Sequence, residues 1–156
     1  MKECFGLYIG NDTDCFWDDR DGWAVVHACK HPCHRYAVGY KGNLPSTHPS
    51  YLIFRRESHL VLNLVDMDQL NDRFMRPIIM AFYSFMDEME GQKILIHCNR
   101  GESRAPSLAI LYLAKRRKKI PDDSFDAAKQ SFKKIYPLYN PGRGFNIYLH
   151  QYWDSL

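Results

Sequence analysis

The run His97-Cys98-Asn99-Arg100-Gly101-Glu102-Ser103-Arg104 sets a thiol, a glycine, a hydroxyl and a guanidinium at short fixed offsets. It follows an apolar, β-branched stretch at residues 93–97 and precedes a helical pattern that starts near Ala105. A strand-to-helix turn of this kind aims successive backbone N–H groups into one concavity at a helix N-terminus, a geometry that binds dianionic phosphate. Gly101 admits the backbone conformation that larger residues resist. A cysteine at the start of such a nest sits in positive potential, which lowers a thiol pKa from about 8.5 towards ~3.5–7.5 and leaves a nucleophilic thiolate at neutral pH. Arg104 offers a planar fork to two phosphate oxygens, which a lysine cannot match. The chemistry these residues suit is attack of the Cys98 sulfur on a phosphate ester. A buried structural thiol beside an unrelated surface arginine would require every one of these offsets to arise by chance.

The elements that must hold this turn are readable from periodicity. Strands are expected at residues 4–9, 23–28, 60–65 and 93–97, each rich in β-branched or aromatic residues. Phe74, Met75, Ile78, Ile79, Phe82, Phe85, Met86 and Met89 recur at intervals of three and four, which predicts an amphipathic helix with Pro77 in its first turn. A second helix, apolar on most of its circumference and therefore buried, is expected at residues 105–118. A third is expected at residues 122–135, with Asp122, Asp123 and Ser124 as caps, and a short one after Gly144. Strands alternating with helices predict one α/β domain over residues 1–156, with a central, mostly parallel sheet flanked by helices and its site at the carboxyl ends of the strands.

Composition agrees with a single packed unit: 156 residues, 46% hydrophobic and 25% charged. The net charge of +3 suits an anionic substrate without identifying one. The basic run Lys115-Arg116-Arg117-Lys118-Lys119 closes a helical stretch, where cations complement the helix dipole, so nucleic acid is not the expected partner. No membrane-length apolar window and no signal-peptide pattern are present, so a cytoplasmic monomer is expected. The five cysteines make structural disulfides unexpected.

His27, Cys29, His31, Cys33 and His34 form a cluster of metal-ligand types. The spacing is poor for zinc: no Cys-x-x-Cys occurs, and strand alternation would have to run through Pro32. The expectation is therefore no metal. Lys30, His31 or His34 would instead add positive charge at the pocket edge, and Cys29 or Cys33 near Cys98 would allow reversible oxidation.

The loop from His97 to Arg104, followed by Ala105-Pro106, resembles the phosphate-binding loop of the dual-specificity protein phosphatases within the protein tyrosine phosphatase superfamily. Leu7-Tyr8-Ile9-Gly10-Asn11 is similar to that family's opening strand, and Pro141-Gly142-Arg143-Gly144-Phe145 to its late turn. The segment from Trp23 to Tyr51 has no counterpart in the pattern. The resemblance implies a phosphocysteine on Cys98, a phosphate clamp by Arg104, and a hydrogen bond from Ser103 to the Cys98 sulfur. Asn99, Arg100, Gly101, Glu102 and Ser103 would complete the phosphate cradle, with Glu102 turned outward. It also implies a general acid in the loop after the preceding strand, roughly thirty residues before the cysteine. Asp66, Asp68 and Asp72 lie 32, 30 and 26 residues before Cys98, and Asp66, at the strand end, is preferred over Asp68. The implied reaction needs no metal or nucleotide cofactor, and its implied substrate is a phosphorylated protein, on tyrosine and also serine or threonine. A phosphoinositide, a nucleotide or an RNA 5′ phosphate keeps the same chemistry. A non-catalytic phosphate-binding module and a sulfur-transfer enzyme are readings from other classes.

Overall fold

Four strands run parallel through the centre of one six-stranded sheet in a computed structural model that describes residues 1–156. In chain order these are β1 (Lys2–Cys4), β2 (Leu7–Gly10), β3 (Trp23–His27), β4 (Ile53–Arg56), β5 (His59–Leu62) and β6 (Lys93–His97). The spatial order is β1-β2-β6-β3-β5-β4, with β1 and β4 added antiparallel at the two edges. Both edge strands differ from expectation. Residues 4–9 are not one strand, because Phe5 and Gly6 take positive φ values of 52° and 84° and fold the chain into a tight hairpin. The strand Ile53–Arg56 is half arginine, so its sequence lacks the apolar signal of a buried strand, and it lies at the solvated edge. Its hairpin partner β5 stops at Leu62, short of the expected residue 65.

The helices are α1 (Arg35–Val38), α2 (Asp72–Glu88), α3 (Arg104–Leu111), α4 (Phe125–Ile135) and α5 (Arg143–Tyr152). Asn71 caps α2 by accepting from Arg73 N–H at 2.9 Å, so Pro77 falls in the second turn rather than the first. The helix continues past it because its apolar stripe, including Met75, Ile78, Ile79 and Phe82, is buried. The expected helix over residues 105–118 is α3 followed by a wider helical turn at Tyr112–Arg116. Ser124, not Asp122, caps α4, through a 3.0 Å bond from Ala127 N–H.

The sheet is buried unequally on its two faces. Leu7, Ile9, Ala24, Val26, Leu60, Leu62, Ile94 and Ile96 face the long helices in one cluster of 38 buried residues. The alternating residues, among them Val25, Val61 and Leu95, meet only two clusters of three buried residues each, roofed by Phe16, Trp17 and the segment around Cys33. No helix is long and apolar enough to cross a membrane.

Candidate active site

Strand β6 ends at His97 in the middle of the sheet, and residues 98–103 carry the chain into the N-terminus of α3. The loop is lashed down by its outward-facing groups. Cys98 N–H donates to Gly10 O at 3.4 Å, and Asn99 O accepts from Asp12 N–H at 3.2 Å. Gly101 O accepts from the Tyr136 hydroxyl at 2.7 Å, and Glu102 O from Asn140 N–H at 2.8 Å. Burial raises the Tyr136 pKa to about 12, which keeps that phenol a donor. The N–H groups of residues 99–103 have no acceptor within the protein, so they remain available to an anion. Gly101 holds φ at +71°, and a Cβ there would lie 3.0 Å from Gly10 O, so both conformation and space select glycine.

The loop lines a cavity of about 200 Å³ together with a loop that follows β5 and the turn that precedes α5. Cys98, Arg100, Glu102, Ser103 and Arg104 come from the phosphate loop, Asp66 from the loop after β5, and Asn140, Pro141 and Gly142 from the late turn. Arg104 donates through Nη1 to Leu64 O at 3.1 Å and through Nη2 to Asn99 Oδ1 at 2.6 Å. Its Nε is buried and unpartnered. Asn99 in turn donates to His31 O at 2.9 Å, so the clamp is set by residues from three elements. Arg100 is largely exposed and pairs with Glu102 at 3.2 Å across the rim.

Ser103 differs from what the resemblance implies. Its Oγ accepts from Gly142 N–H at 2.8 Å, and no hydrogen bond between the hydroxyl and the Cys98 sulfur is present.

The three aspartates separate by geometry. Asp66 lies on the cavity wall, against Gly142: a Cβ at that glycine would come within 2.1 Å of Asp66 Oδ1. Asp68 borders a different cavity, with Gly144, Ile147 and Tyr148. Asp72 accepts from the Tyr148 hydroxyl at 2.6 Å and from Arg76, and these partners, Tyr148 foremost, hold its carboxyl below the usual range. A carboxylate so stabilised is a poor proton donor.

Lys30, His31 and His34 do not line the cavity. His34 is buried between Tyr40 and Ser50, and Lys30 borders a larger apolar cavity of about 290 Å³ with Tyr51, Leu70 and Phe74. The Cys33 sulfur has Cys15 Sγ and His97 Nε2 for neighbours, each at 4.0 Å, rather than Cys98. Asn140, Pro141 and Gly142 are the cavity residues that spacing did not reveal. The resemblance marked Pro141-Gly142 as a late turn but did not assign it to the cavity.

No protein-family model matches the chain. Its sequence is 30% identical over 100 residues to the tyrosine-protein phosphatase vhp-1 of Caenorhabditis elegans, a match covering 63% of this chain and 15% of that protein. The chain thus matches only a small part of that relative's length. Among solved structures, human serine/threonine/tyrosine-interacting protein, described as tyrosine phosphatase-like, superposes with a TM-score of 0.60 at 20% identity, covering 96% of this chain and 91% of that one. A mouse putative dual specificity phosphatase gives 0.62 at 21% identity, covering 97% and 84%. Human DUSP28 gives 0.57 at 17% identity, covering 96% and 92%. The chain has the fold of the dual-specificity phosphatases, and its sequence is similar to that of a tyrosine-protein phosphatase.

Proposed function

We propose that this protein hydrolyses phosphomonoesters on proteins through a phosphocysteine on Cys98. The observation that carries the reading is that Cys98, Arg104 and Asp66, from two loops far apart in the chain, border one cavity whose free N–H groups and unpartnered Arg104 Nε suit a phosphate. The Cys98 thiolate attacks phosphorus and the ester P–O bond breaks, while Asp66 delivers its proton to the departing alkoxide or phenoxide. Water then attacks the thiophosphate with Asp66 as base. The P–S bond breaks, and the thiolate and inorganic phosphate are released. Arg104, Ser103 and the amides of Asn99, Arg100, Gly101 and Glu102 hold the equatorial oxygens throughout.

Glu102, expected to turn outward, lines the cavity as Asp66 does, and two carboxylates there favour a single phosphate ester over a multiply phosphorylated headgroup. The vhp-1 match supports phosphoprotein as the substrate class. The test is Cys98→Ser, which should abolish turnover of p-nitrophenyl phosphate and of a phosphotyrosine peptide while tungstate still binds. Turnover above a few per cent of wild type would remove Cys98 as nucleophile. Asp66→Asn should slow a phosphotyrosine peptide by about 10²–10⁴-fold and a good leaving group much less. Asp68→Asn should change neither, and leaving-group dependence confined to Asp68→Asn would transfer the acid role.

A further inference from the structure

We propose that Cys15, His27, Cys33 and His97 form a tetrahedral zinc site on the thin face of the sheet, directly behind the phosphate loop. One donor atom from each residue lies within 4.8 Å of the other three. The measured pairs are 4.0 Å for Cys15 Sγ to Cys33 Sγ, 3.5 Å for Cys15 Sγ to His27 Nδ1, 4.0 Å for Cys33 Sγ to His97 Nε2, and 2.8 Å for His97 Nε2 to His27 Nδ1. Zinc bonds of ~2.3 Å to sulfur and ~2.0–2.1 Å to nitrogen set tetrahedral donor separations of about 3.3–3.8 Å. The Cys15–His27 pair already fits, the Cys15–Cys33 and Cys33–His97 pairs need to close by a few tenths of an ångström, and the imidazole pair needs to open by about half an ångström. The two remaining pairs, Cys15–His97 and Cys33–His27, lie within 4.8 Å and need to close by up to about 1.2 Å.

Four elements supply the ligands, which is why local spacing hides them. His27 and His97 end β3 and β6 and are paired directly in the sheet register, so their rings emerge side by side. Cys15 follows the short helical turn Asp12–Asp14, and Cys33 sits in the helical turn Lys30–His34. Two of these residues belong to the histidine–cysteine cluster whose spacing argued against zinc. The other two come from residues 15 and 97, and Cys29, His31 and His34 are not part of the group.

The surroundings orient His27 as a metal requires, whereas His97 Nδ1 is buried without a hydrogen-bond partner and that ring is held by its place at the strand end. Asp19 Oδ1 lies 3.5 Å from His59 Nε2, and His59 Nδ1 lies 3.1 Å from His27 Nε2. His59 Nε2 has no hydrogen-bond partner, and Asp19 acts on it only as a nearby charge, which favours a proton on Nε2; with His59 Nδ1 then the acceptor, His27 Nε2–H is the donor. This leaves the His27 Nδ1 lone pair aimed at the cluster centre. Trp17 stacks on the His27 ring at 4.0 Å and 8° and shields it from solvent. His27, Cys33 and His97 are buried and Cys15 is half-buried. Binding Zn²⁺ expels one proton from each thiol, and the two neutral imidazoles complete a site of zero net charge. A set of two thiolates and two imidazoles with no carboxylate selects zinc over magnesium or calcium. The site has a mechanical use as well. It would staple Cys15 and Cys33 onto a face with little apolar core and fix His97, the residue before Cys98.

The proposal stands independently of the phosphatase reading, and metal content and spectra test it without an assay of turnover. Zinc-reconstituted, gel-filtered protein should carry one equivalent of zinc per chain. Cys98→Ser should carry the same, which separates this site from the loop thiol. Cobalt(II) in place of zinc should give the intense d–d bands of a tetrahedral ion and a thiolate-to-cobalt charge-transfer band. Cys15→Ser and Cys33→Ser should each lose both, while Cys4→Ala keeps them. Wild-type protein without stoichiometric metal, cobalt spectra lacking thiolate charge transfer, or a Cys15–Cys33 disulfide in the isolated protein would each overturn the proposal, whatever the variants do.

Discussion

Arg104 is engaged but not saturated in this structure, and that distinction governs how its loss should read out. Two of its donors hold Leu64 O and Asn99 Oδ1, and Nε is left for a ligand. Arg104→Lys keeps the charge and loses the fork, so kcat should fall by about 10²–10³-fold and KM should rise. A KM within error of wild type would contradict a clamp on the ground-state phosphate. Gly142 makes the second prediction at this scale. Its missing Cβ leaves the space that Asp66 fills, and its N–H fixes Ser103. Gly142→Ala should therefore displace Asp66 and lose a large part of the ~10²–10⁴-fold attributable to general acid catalysis. The same leaving-group dependence as Asp66→Asn should appear, and its absence would separate Gly142 from the acid. The resemblance located the late turn, but that it packs against Asp66 at the cavity is decided by the tertiary structure.

Among the elements, the stretch after α1 shows how a buried polar residue can replace an apolar core. His34 Nδ1 accepts from the Tyr40 hydroxyl and its Nε2–H donates to Ser50 O, both at 2.8 Å, so one imidazole pins both ends of residues 40–50. His34→Ala leaves those partners without their bonds, a cost of about 1–3 kcal/mol. Limited proteolysis should then cut within residues 40–50, while wild type resists; equal resistance would show that the segment is held by other contacts. Burial lowers the His34 pKa from 6.5, with Lys30 and His48 adding to the shift against the bond to Ser50. An imidazole depressed in the folded state binds its proton first in the unfolded chain. Its contribution is therefore full above pH 6.5 and is lost as pH falls from there. The stability difference between wild type and His34→Ala should shrink over that window. The basic run at residues 115–119 is largely consumed locally. Arg116 pairs with Asp87, Lys118 with Asp122, and Lys115 covers the Trp153 ring at 4.6 Å.

Across the whole molecule, the unequal burial of the two sheet faces predicts unequal sensitivity to cavities. Phe82 is fully buried in the 38-residue cluster, so Phe82→Ala should cost about 3–5 kcal/mol, read as a lower urea midpoint at unchanged slope. Phe16 belongs to a cluster of three with part of its ring accessible, and Phe16→Ala should cost less. Equal costs would mean that the thin face is as cohesive as the thick one. The same asymmetry marks how far the sequence reached. Helix α2, strands β3 and β6, and the loop of residues 98–104 were legible because each is specified by neighbours in the chain: a 3.6-residue stripe, β-branched runs, and a glycine between a thiol and a guanidinium. The hairpin at Phe5-Gly6 and the arginine-bearing edge strand β4 were missed. One needs a backbone turn that apolar patterning does not encode, and the other is solvated on a side where apolar residues confer nothing. Which aspartate borders the Cys98 cavity is not legible from position in the chain, because Asp66, Asp68 and Asp72 are chemically alike until Gly142 and Tyr148 arrive from the far end of the sequence. The cysteine–histidine cluster shows the limit most clearly. Residue types fix what a ligand can bind, and local spacing fixes it only when all the donors share one loop or helix. Cys15, His27, Cys33 and His97 are brought together by strand register and by a turn folding back over the sheet, long-range events that only the packed chain decides.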